Sequence, residues 1–228
     1  MFFKKIRRTI SLIRARFQGE QDSYLRHNKQ YEQDFVNNTL DRHLGFAIKE
    51  NYINNAHLKL GKLLKAHPKV RYLAVDVGSG CGWLSAKLSK IFRKVVAIEP
   101  SAAAIKIAKH HYPPNKYPNI EWRQGFAEKT LNSLKITKPC LFVTGAVLSH
   151  LTDGVVINIL KKINELPPKG SLLAFAEGWG KEQHQYMWHI RTKAWWQAQL
   201  SNWSLNFHGP SVENTPERHM GIHGVKIN

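Results

Sequence analysis

The sequence has few acidic residues, few cysteines and no long apolar run, and each shortage excludes a class of protein. Its 228 residues include 16 Asp and Glu against 34 Lys and Arg, for a net charge of +18. The two cysteines, Cys81 and Cys140, are too few and too far apart for a disulfide framework or a metal-binding spacing. No stretch is apolar over the length that spans a bilayer. We therefore expect a protein of the reducing cytoplasm that binds no metal.

The beginning of the chain combines positive charge with an apolar stripe. Residues 2–17 read FFKKIRRTISLIRARF, contain no acid, and place their apolar side chains at three- and four-residue spacing. A helix with an apolar face bordered by cations is typical of contact with an anionic membrane surface. We therefore predict that residues 2–17 hold the protein at the inner face of a membrane. A first helix packed on the domain, with its basic side in water, explains the same pattern.

After residue 66 the pattern changes to alternating strands and helices. Short apolar runs predict strands at 70–78, 94–100, 119–125, 140–147 and 171–178, and amphipathic runs predict helices at 81–92, 101–112 and 153–166. A helix at 181–200 and a hairpin of strands 203–208 and 223–227 follow. This order predicts an α/β fold: a doubly wound, mostly parallel seven-stranded sheet with helices on both faces and a C-terminal antiparallel hairpin. We expect residues 1–66 to form an N-terminal helical extension and residues 67–228 to form one domain.

Residues 75–83 read VDVGSGCGW, a glycine-rich turn between the first strand and its helix. Such a turn lets a ligand approach the backbone at the N-terminus of a helix. The dinucleotide pattern Gly-x-Gly-x-x-Gly fails because its sixth position is Trp83, and the phosphate loop fails because no Lys-Ser/Thr follows. Glu99, at the end of the second strand, is suited to accept hydrogen bonds from both hydroxyls of a ribose. Together these residues predict a nucleoside ligand that lacks a diphosphate.

At these positions the sequence resembles the class I S-adenosylmethionine-dependent methyltransferases, of a small-molecule kind that is similar to the type 11/12 group. The family's first motif, Asp-x-Gly-x-Gly-x-Gly, is reproduced by residues 76–82, its acidic second-strand end by VVAIEP, and its adenine segment by QGFAE. The resemblance implies S-adenosyl-L-methionine as cofactor, with Asp76 near its ammonium group and Glu128 facing its adenine amino group. The cofactor-binding residues that it implies are Asp76, Gly78, Ser79, Gly80, Gly82, Glu99, Pro100, Gly125, Phe126, Ala127 and Gly145.

Candidate catalytic and substrate-binding residues follow the fourth and fifth strands. His150 lies just past the fourth strand, and histidine is the residue type most often used as a general base, so it suits that role for an alcohol or phenol acceptor. Capping or orientation of the next helix is the alternative role of His150. Trp179, His184 and His219 belong to a C-terminal region rich in tryptophan and histidine, and we predict that they line the acceptor site. The tryptophans at 188–196 are also explained as the buried stripe of a helix.

The function that the resemblance implies is methyl transfer by in-line displacement, in which the protein aligns donor and acceptor and excludes water. The basic start and the aromatic, uncharged C-terminal region favour a small-molecule, glycan or lipid-linked acceptor that is methylated on oxygen. The net charge of +18 makes an RNA methyltransferase the alternative, although no Asn-Pro-Pro-Tyr-like segment follows the fourth strand. A third hypothesis is a protein that binds the cofactor without catalysis and serves as a membrane or assembly partner.

Overall fold

The computed structural model describes residues 60–180, 183–185, 188–209 and 221–228, with the backbone alone described at 183–185 and at Trp188. The helices of this part of the chain are α1 (Leu60–Ala66), α2 (Trp83–Ser89), α3 (Ala102–His111), α4 (Ala127–Thr130), α5 (Asp153–Glu165) and α6 (Lys193–Gln199). Its strands are β1 (Leu73–Val77), β2 (Lys94–Glu99), β3 (Ile120–Gln124), β4 (Leu141–Gly145), β5 (Leu172–Ala176), β6 (Gln183–Gln185), β7 (Trp188–Ile190), β8 (Trp203–His208) and β9 (Gly221–Lys226). Strands and helices therefore alternate up to β5, as the sequence predicts.

The main sheet has seven strands in the order β3-β2-β1-β4-β5-β9-β8. Strands β1 to β5 are parallel, whereas β9 runs antiparallel to both β5 and β8. The expected mostly parallel sheet with a C-terminal hairpin is therefore confirmed. The C-terminal ends of β1 to β5 meet at one edge, which we call the carboxyl edge, and their N-terminal ends meet at the opposite, amino edge. The strand order reverses between β1 and β4, and open α/β sheets bind ligands beside the carboxyl ends of strands at such a point.

The sheet is buried on both faces, which explains why its central strands are continuous apolar runs. Every residue of β1 and β5 is buried. On one face, α5 packs its apolar stripe from Val156 to Ile163 into the cluster that contains Phe142 and Phe175. On the other face, α1 packs Leu60 and Leu64 into a second cluster. The site at the carboxyl edge thus stands on a fully packed core.

The single helix predicted for residues 181–200 is wrong. Strands β6 and β7 form a separate two-stranded antiparallel sheet in which Gln183 pairs with Ile190. Helix α6 begins only at Lys193, because the Thr192 side chain accepts a hydrogen bond from the Trp195 amide and so caps the helix there. The helical spacing of the tryptophans at 188–196 was misleading, since it spans a strand and a helix.

The N-terminal extension predicted for residues 1–66 lies mostly outside the described residues, as does all of the basic segment 2–17. Helix α1, its last part, is packed on the core of the domain. Within the described ranges, none of the helices has both the length and the apolar character required to cross a membrane.

Candidate active site

The segment from Gly78 to Gly82, which we call the glycine loop, joins β1 to α2 at the carboxyl edge. Its backbone is tied to the neighbouring strand, since the amides of Gly78 and Ser79 donate to the Ile98 carbonyl at 2.8 and 3.0 Å. Gly78, Gly80 and Gly82 have φ angles of 74°, 51° and 81°, in the left-handed region that favours glycine. The loop therefore turns sharply at the switch point between β1 and β4.

At two of these positions, neighbouring side chains leave no room for a residue larger than glycine. A Cβ on Gly78 would lie 2.4 Å from Cγ2 of Val147, and a Cβ on Gly82 would lie 2.2 Å from Cη2 of Trp122. Both distances are far shorter than a carbon–carbon contact, and the indole of Trp122 is a rigid ring. The glycine loop is therefore packed tightly against β3 on one side and against the segment after β4 on the other.

Glu99 ends β2 and is 4% exposed. Its Oε2 accepts a hydrogen bond from the Gly80 amide and its Oε1 accepts one from the Ser101 amide, both at 3.0 Å. Pro100 separates Glu99 from Ser101, whose side chain caps α3. The carbonyl of Glu99 accepts from the Gly125 amide at 3.0 Å, which ties β2 to the segment after β3. A carboxylate has more acceptor sites than two amides use, so hydrogen bonds from a ribose remain compatible with this arrangement.

Asp76 lies within β1 and is 1% exposed. The Ser85 hydroxyl donates to its Oδ2 at 2.6 Å, which ties β1 to the first turn of α2. Burial raises the pKa of Asp76 to about 6, although the hydrogen bonds from Ser85 oppose the shift. The contact between Asp76 and a ligand ammonium group stays a prediction. In the glycine loop itself, burial and the nearby Glu99 charge raise the pKa of the Cys81 thiol to about 12, so this thiol is neutral.

The segment after β3 forms another side of the site. Gly125 has a φ angle of 152°, and Phe126 precedes α4, which begins at Ala127. In the first turn of α4, Oε2 of Glu128 is buried and has no hydrogen-bond partner among the described residues. The hydroxyl of Ser79 in the glycine loop is likewise buried, with no partner in that part of the chain. Because buried polar atoms are normally paired, these two atoms mark positions where a polar ligand fits.

Glu177, which directly follows β5, organises the segment after β4. It is 2% exposed, and its Oε1 accepts hydrogen bonds from the Thr144 hydroxyl at 2.7 Å and the Val147 amide at 2.9 Å. Its Oε2 accepts from the Ser149 amide at 2.9 Å and from the Ser149 hydroxyl at 2.8 Å. Gly145 ends β4 just before this network. A single buried carboxylate therefore connects the end of β5 to the end of β4 and to the turn that follows.

His150 is half-buried and ends the short 3-10 turn that follows β4. Glu177 holds this turn from one side. Arg191, which is 1% exposed, holds it from the other, because its guanidinium donates to the carbonyls of Leu148 at 2.8 Å and Leu151 at 2.6 Å. The backbone at His150 is therefore fixed from two directions, which is the positioning that a general base requires.

The three predicted acceptor residues differ in what the structure describes. His184 lies in β6, where only the backbone is described, and His219 lies outside the described residues. Trp179 is 3% exposed, packs edge to face on Phe207 with ring centroids 5.5 Å apart, and donates from Nε1 to the His208 carbonyl at 3.3 Å. Trp179 is thus a core residue beside the carboxyl edge, and a contact between it and an acceptor stays a prediction.

Glu177 and Arg191 were not predicted from the sequence as site residues. The sequence held a hint of Glu177, because this acid directly follows an apolar parallel strand, much as Glu99 ends one. Arg191 carried no such signal, because it lies in the range 181–200 that the spacing assigned to a helix. Its role depends on contacts with residues 40 and 43 positions earlier in the chain.

The predicted cofactor residues at the ends of β1, β2, β3 and β4 thus lie at one edge of the sheet. Residues 74–170 match a family model described as "Methyltransferase domain". Residues 74–170 are therefore similar to a methyltransferase domain, and the resemblance recognised from the glycine loop is confirmed. A Dictyostelium discoideum protein that bears a methyltransferase name is 41% identical over 59 residues, which are 26% of this chain and 20% of that protein. The match thus spans about a fifth of that curated relative's length.

Solved structures share the fold at low sequence identity. The complex of DhpI with SAH has a TM-score of 0.58 and 16% identity, over 92% of this chain and 98% of that one. A Clostridium thermocellum protein described as an rRNA-methylase has a TM-score of 0.58 and 13% identity, over 75% of this chain and 94% of that one. At such identities the likeness concerns the fold, and the residues of the site have to carry the functional argument.

Proposed function

We propose that the protein transfers a methyl group from S-adenosyl-L-methionine to an oxygen atom of a small-molecule, glycan or lipid-linked acceptor. The observation that carries the proposal is the buried carboxylate of Glu99, which the amides of Gly80 and Ser101 orient beside a loop without a phosphate-binding pattern. The methyltransferase domain family and the solved DhpI complex with SAH support the same cofactor.

S-adenosylmethionine fits the residues of this edge. Glu99 would bind its ribose, the glycine loop would face its methionine part, and the buried Oε2 of Glu128 would accept from its adenine amino group. When bound, it supplies a methyl group that a sulfonium sulfur already activates for displacement. What remains for the chain is to orient the acceptor and to exclude water.

The charge of the carboxyl edge supports an uncharged acceptor over RNA. Among the described residues that directly follow the parallel strands, those at 78–82, 100–101, 125–126, 146–152 and 177–180 include no Lys or Arg. The nearest cations are Lys181, the next residue of the chain, and Lys193, whose Nζ lies 4.3 Å from the centroid of the Trp179 ring. Nucleic-acid affinity depends largely on cations at phosphates, so a polyanion would find few partners on these loops. The likeness to the Clostridium thermocellum protein is one of fold and leaves this argument unchanged.

His150 is the proposed general base for the acceptor hydroxyl. Its imidazole would take the hydroxyl proton as the acceptor oxygen forms its bond to the methyl carbon, so that no free alkoxide is required. The network of Glu177 and Arg191 around the 3-10 turn supports this role, because it fixes the backbone that carries the imidazole.

The test of the cofactor is calorimetric titration with S-adenosylmethionine and, separately, with NAD. We expect binding of the first alone, and a loss of about 100-fold in affinity for Glu99→Ala, since hydrogen bonds to a carboxylate are each worth about 1.5–3 kcal/mol. Glu121→Ala is the matched control, because Glu121 is an acid of the same sheet whose ion pairs with Lys94 and Arg123 are partly exposed. Equal affinities for the two variants, or no binding of S-adenosylmethionine, would remove the proposal.

The test of the base is His150→Ala, assayed with a panel of hydroxyl-bearing acceptors. We expect unchanged cofactor affinity and a kcat lower by about 100-fold or more. His110→Ala is a suitable control, since His110 is exposed in the last turn of α3. An unchanged kcat for His150→Ala would assign this residue a structural role instead.

The membrane partner of residues 2–17 is also a proposal, supported by the acid-free amphipathic sequence alone. Deletion of residues 2–17 should weaken sedimentation of the protein with phosphatidylserine vesicles. Cofactor affinity should stay unchanged, because the proposed cofactor residues lie between Asp76 and Gly145. An undiminished sedimentation would show that these residues contribute nothing to membrane contact.

A further inference from the structure

We infer that the amino edge of the sheet is a docking surface for an anionic phospholipid membrane. This inference concerns the edge opposite the proposed active site. It depends neither on the cofactor nor on residues 2–17. Its support comes from exposed charges, exposed apolar side chains and their arrangement around one tyrosine.

Exposed cations stand at the entry of every parallel strand. They are Lys69 and Arg71 before β1, Lys90 and Arg93 before β2, Lys116 before β3, Lys135 and Lys138 before β4, and Lys169 before β5. We call these residues the amino-edge cations. Glu121, an acid at the start of β3, is already engaged by Lys94 at 2.7 Å and by Arg123 at 2.5 Å. The edge therefore presents a positive surface that suits an anionic partner.

The amino-edge cations form one surface rather than separate points. Lys138 Nζ lies 4.4 Å from the centroid of the Tyr72 ring, and the Arg93 guanidinium lies 5.7 Å from the same centroid. The Arg93 amide also donates to the Arg71 carbonyl at 2.9 Å. The entries of β1, β2 and β4 therefore place like charges around a single aromatic ring. Like charges held together cost stability, so a partner that neutralises them is the expected reason for the arrangement.

Exposed apolar side chains lie among these charges. Tyr72 is 41% exposed, Ile91 is 43% exposed and Ile227 is 42% exposed, whereas core residues are nearly all below 9%. Tyr72 precedes β1, Ile91 precedes β2, and Ile227 follows β9, whose C-terminal end lies at the amino edge because β9 runs antiparallel to β5. Cations that surround exposed aliphatic and aromatic side chains match the interface of an anionic bilayer, where apolar groups enter and cations meet phosphates.

These side chains favour a membrane over RNA. Proteins that bind single-stranded nucleic acid combine cations with aromatic rings on which bases stack. Tyr72 has such a ring, but Arg93 and Lys138 already lie over it and leave less of its face for a base. Ile91 and Ile227 offer no aromatic face to a base, whereas burial in the acyl region is favourable for both. Long lysine side chains can extend beside them and keep their charged ends at the phosphates.

Docking at the amino edge would turn the proposed active site away from the membrane. Strands β1, β4 and β5 each have five residues, so about 17 Å separates the two edges of the sheet. The acceptor would then approach from the aqueous side. A lipid-linked acceptor would need a headgroup long enough to cross that distance.

The first test compares two double variants of the full chain that carry the same net charge. Lys90→Gln with Lys169→Gln removes two amino-edge cations, and Lys106→Gln with Lys129→Gln removes two exposed cations from α3 and α4. We expect the first pair to weaken sedimentation with phosphatidylserine-containing vesicles by about five-fold per cation, and the second pair to have little effect. Equal losses in both pairs would mean that only net charge matters, and no loss in the first pair would exclude this edge; either result overturns the inference.

A second measurement reports depth rather than affinity. Both native cysteines are buried, and burial raises the pKa of each thiol to about 12, so an engineered surface cysteine would take a dye selectively. An environment-sensitive dye on Ile91→Cys should brighten and shift to the blue on phosphatidylserine vesicles, whereas the same dye on Lys106→Cys should not. Equal responses at the two positions would contradict docking at the amino edge. So would a response at Ile91→Cys with polyuridylate but not with vesicles, since RNA would then be the partner.

Discussion

The carboxyl edge of the sheet is built from backbone amides and buried carboxylates, whereas its amino edge is built from exposed cations and exposed apolar side chains. At the carboxyl edge, Glu99 and Glu177 are 4% and 2% exposed and receive their hydrogen bonds from the loops around them. At the amino edge, Tyr72 and Ile91 are among the most exposed large apolar residues of the described chain. The same five parallel strands connect the two edges.

Helix direction explains part of this difference. Helices α2, α3 and α5 begin at the carboxyl edge and end toward the amino edge, because each follows a parallel strand. Free amides at helix N-termini favour carboxylates, and free carbonyls at C-termini favour cations. Lys87 and Lys109 in the last turns of α2 and α3 fit this rule. The cations at the strand entries exceed what helix ends require, which is consistent with the proposed active site at one edge and the proposed membrane contact at the other.

The largest effect should follow removal of the buried carboxylate of Glu177. Glu177→Ala leaves four donors from Thr144, Val147 and Ser149 without their acceptor, and we expect the free energy of unfolding to fall by about 4 kcal/mol in urea titrations. Glu165→Ala is the control, because its pair with Lys162 is exposed and worth under about 1 kcal/mol. Similar losses for Glu177→Ala and Glu165→Ala would contradict a buried network at the carboxyl edge.

The next largest effect is a pH dependence of the free energy of unfolding that arises from the raised pKa of Asp76. Burial raises this pKa from its ordinary 3.8 to about 6, so the folded state binds the proton more tightly than the unfolded state does. The free energy of unfolding contributed by Asp76 should therefore fall as pH rises from about 4 to about 6, by about 3 kcal/mol in total. Asp76→Asn removes this titration, so urea titrations of wild type and variant across that window should diverge in favour of the variant.

Glu121 is a control whose pKa is shifted in the opposite direction to that of Asp76. Its hydrogen bonds and ion pairs with Lys94 and Arg123 hold its pKa below the ordinary value, although partial burial opposes them. Wild type should therefore lose stability relative to Glu121→Gln as pH falls through that lowered pKa. Curves that diverge in the same direction for Asp76→Asn and Glu121→Gln would contradict the contrast between buried and exposed acids.

The sequence predicted the parts of the site that depend on local spacing. The glycine loop, Glu99 and the segment after β3 each follow a strand whose apolar run is visible in the sequence, and parallel order brings strand ends together. The helix predicted at 181–200 failed because its periodicity arose from tryptophans of two different elements.

Long-range hydrogen bonds explain what the sequence analysis missed. Glu177 meets Ser149 across 28 residues, and Arg191 meets Leu148 across 43, and no local pattern encodes either contact. The amino edge was missed for a related reason: its cations are scattered one or two at a time along the chain. They form one surface only when the parallel strands align their entries.

Two glycines with nearly the same φ angle allow a direct comparison of the edges. Gly82 in the glycine loop has φ +81° and Gly170 before β5 has φ +82°, but a Cβ would meet Trp122 at 2.2 Å in the first case and only Pro139 at 4.0 Å in the second. Gly170→Ala should cost about 1 kcal/mol from backbone strain, and Gly82→Ala about 2 kcal/mol more from the clash with the ring. Thermal or urea unfolding measures both, and equal costs would contradict tight packing of the glycine loop.

The smallest effect concerns the charges of the amino edge. If the amino-edge cations repel one another, Lys90→Gln with Lys169→Gln should raise the free energy of unfolding at low NaCl by up to about 1 kcal/mol, and added NaCl should reduce that gain because it screens the repulsion over about 10 Å. Lys106→Gln with Lys129→Gln removes the same charge from α3 and α4 and should change stability less. Cations retained at a cost to folding indicate selection for a partner, so an edge variant that is no more stable than the helix variant would leave the amino edge an ordinary solvated surface.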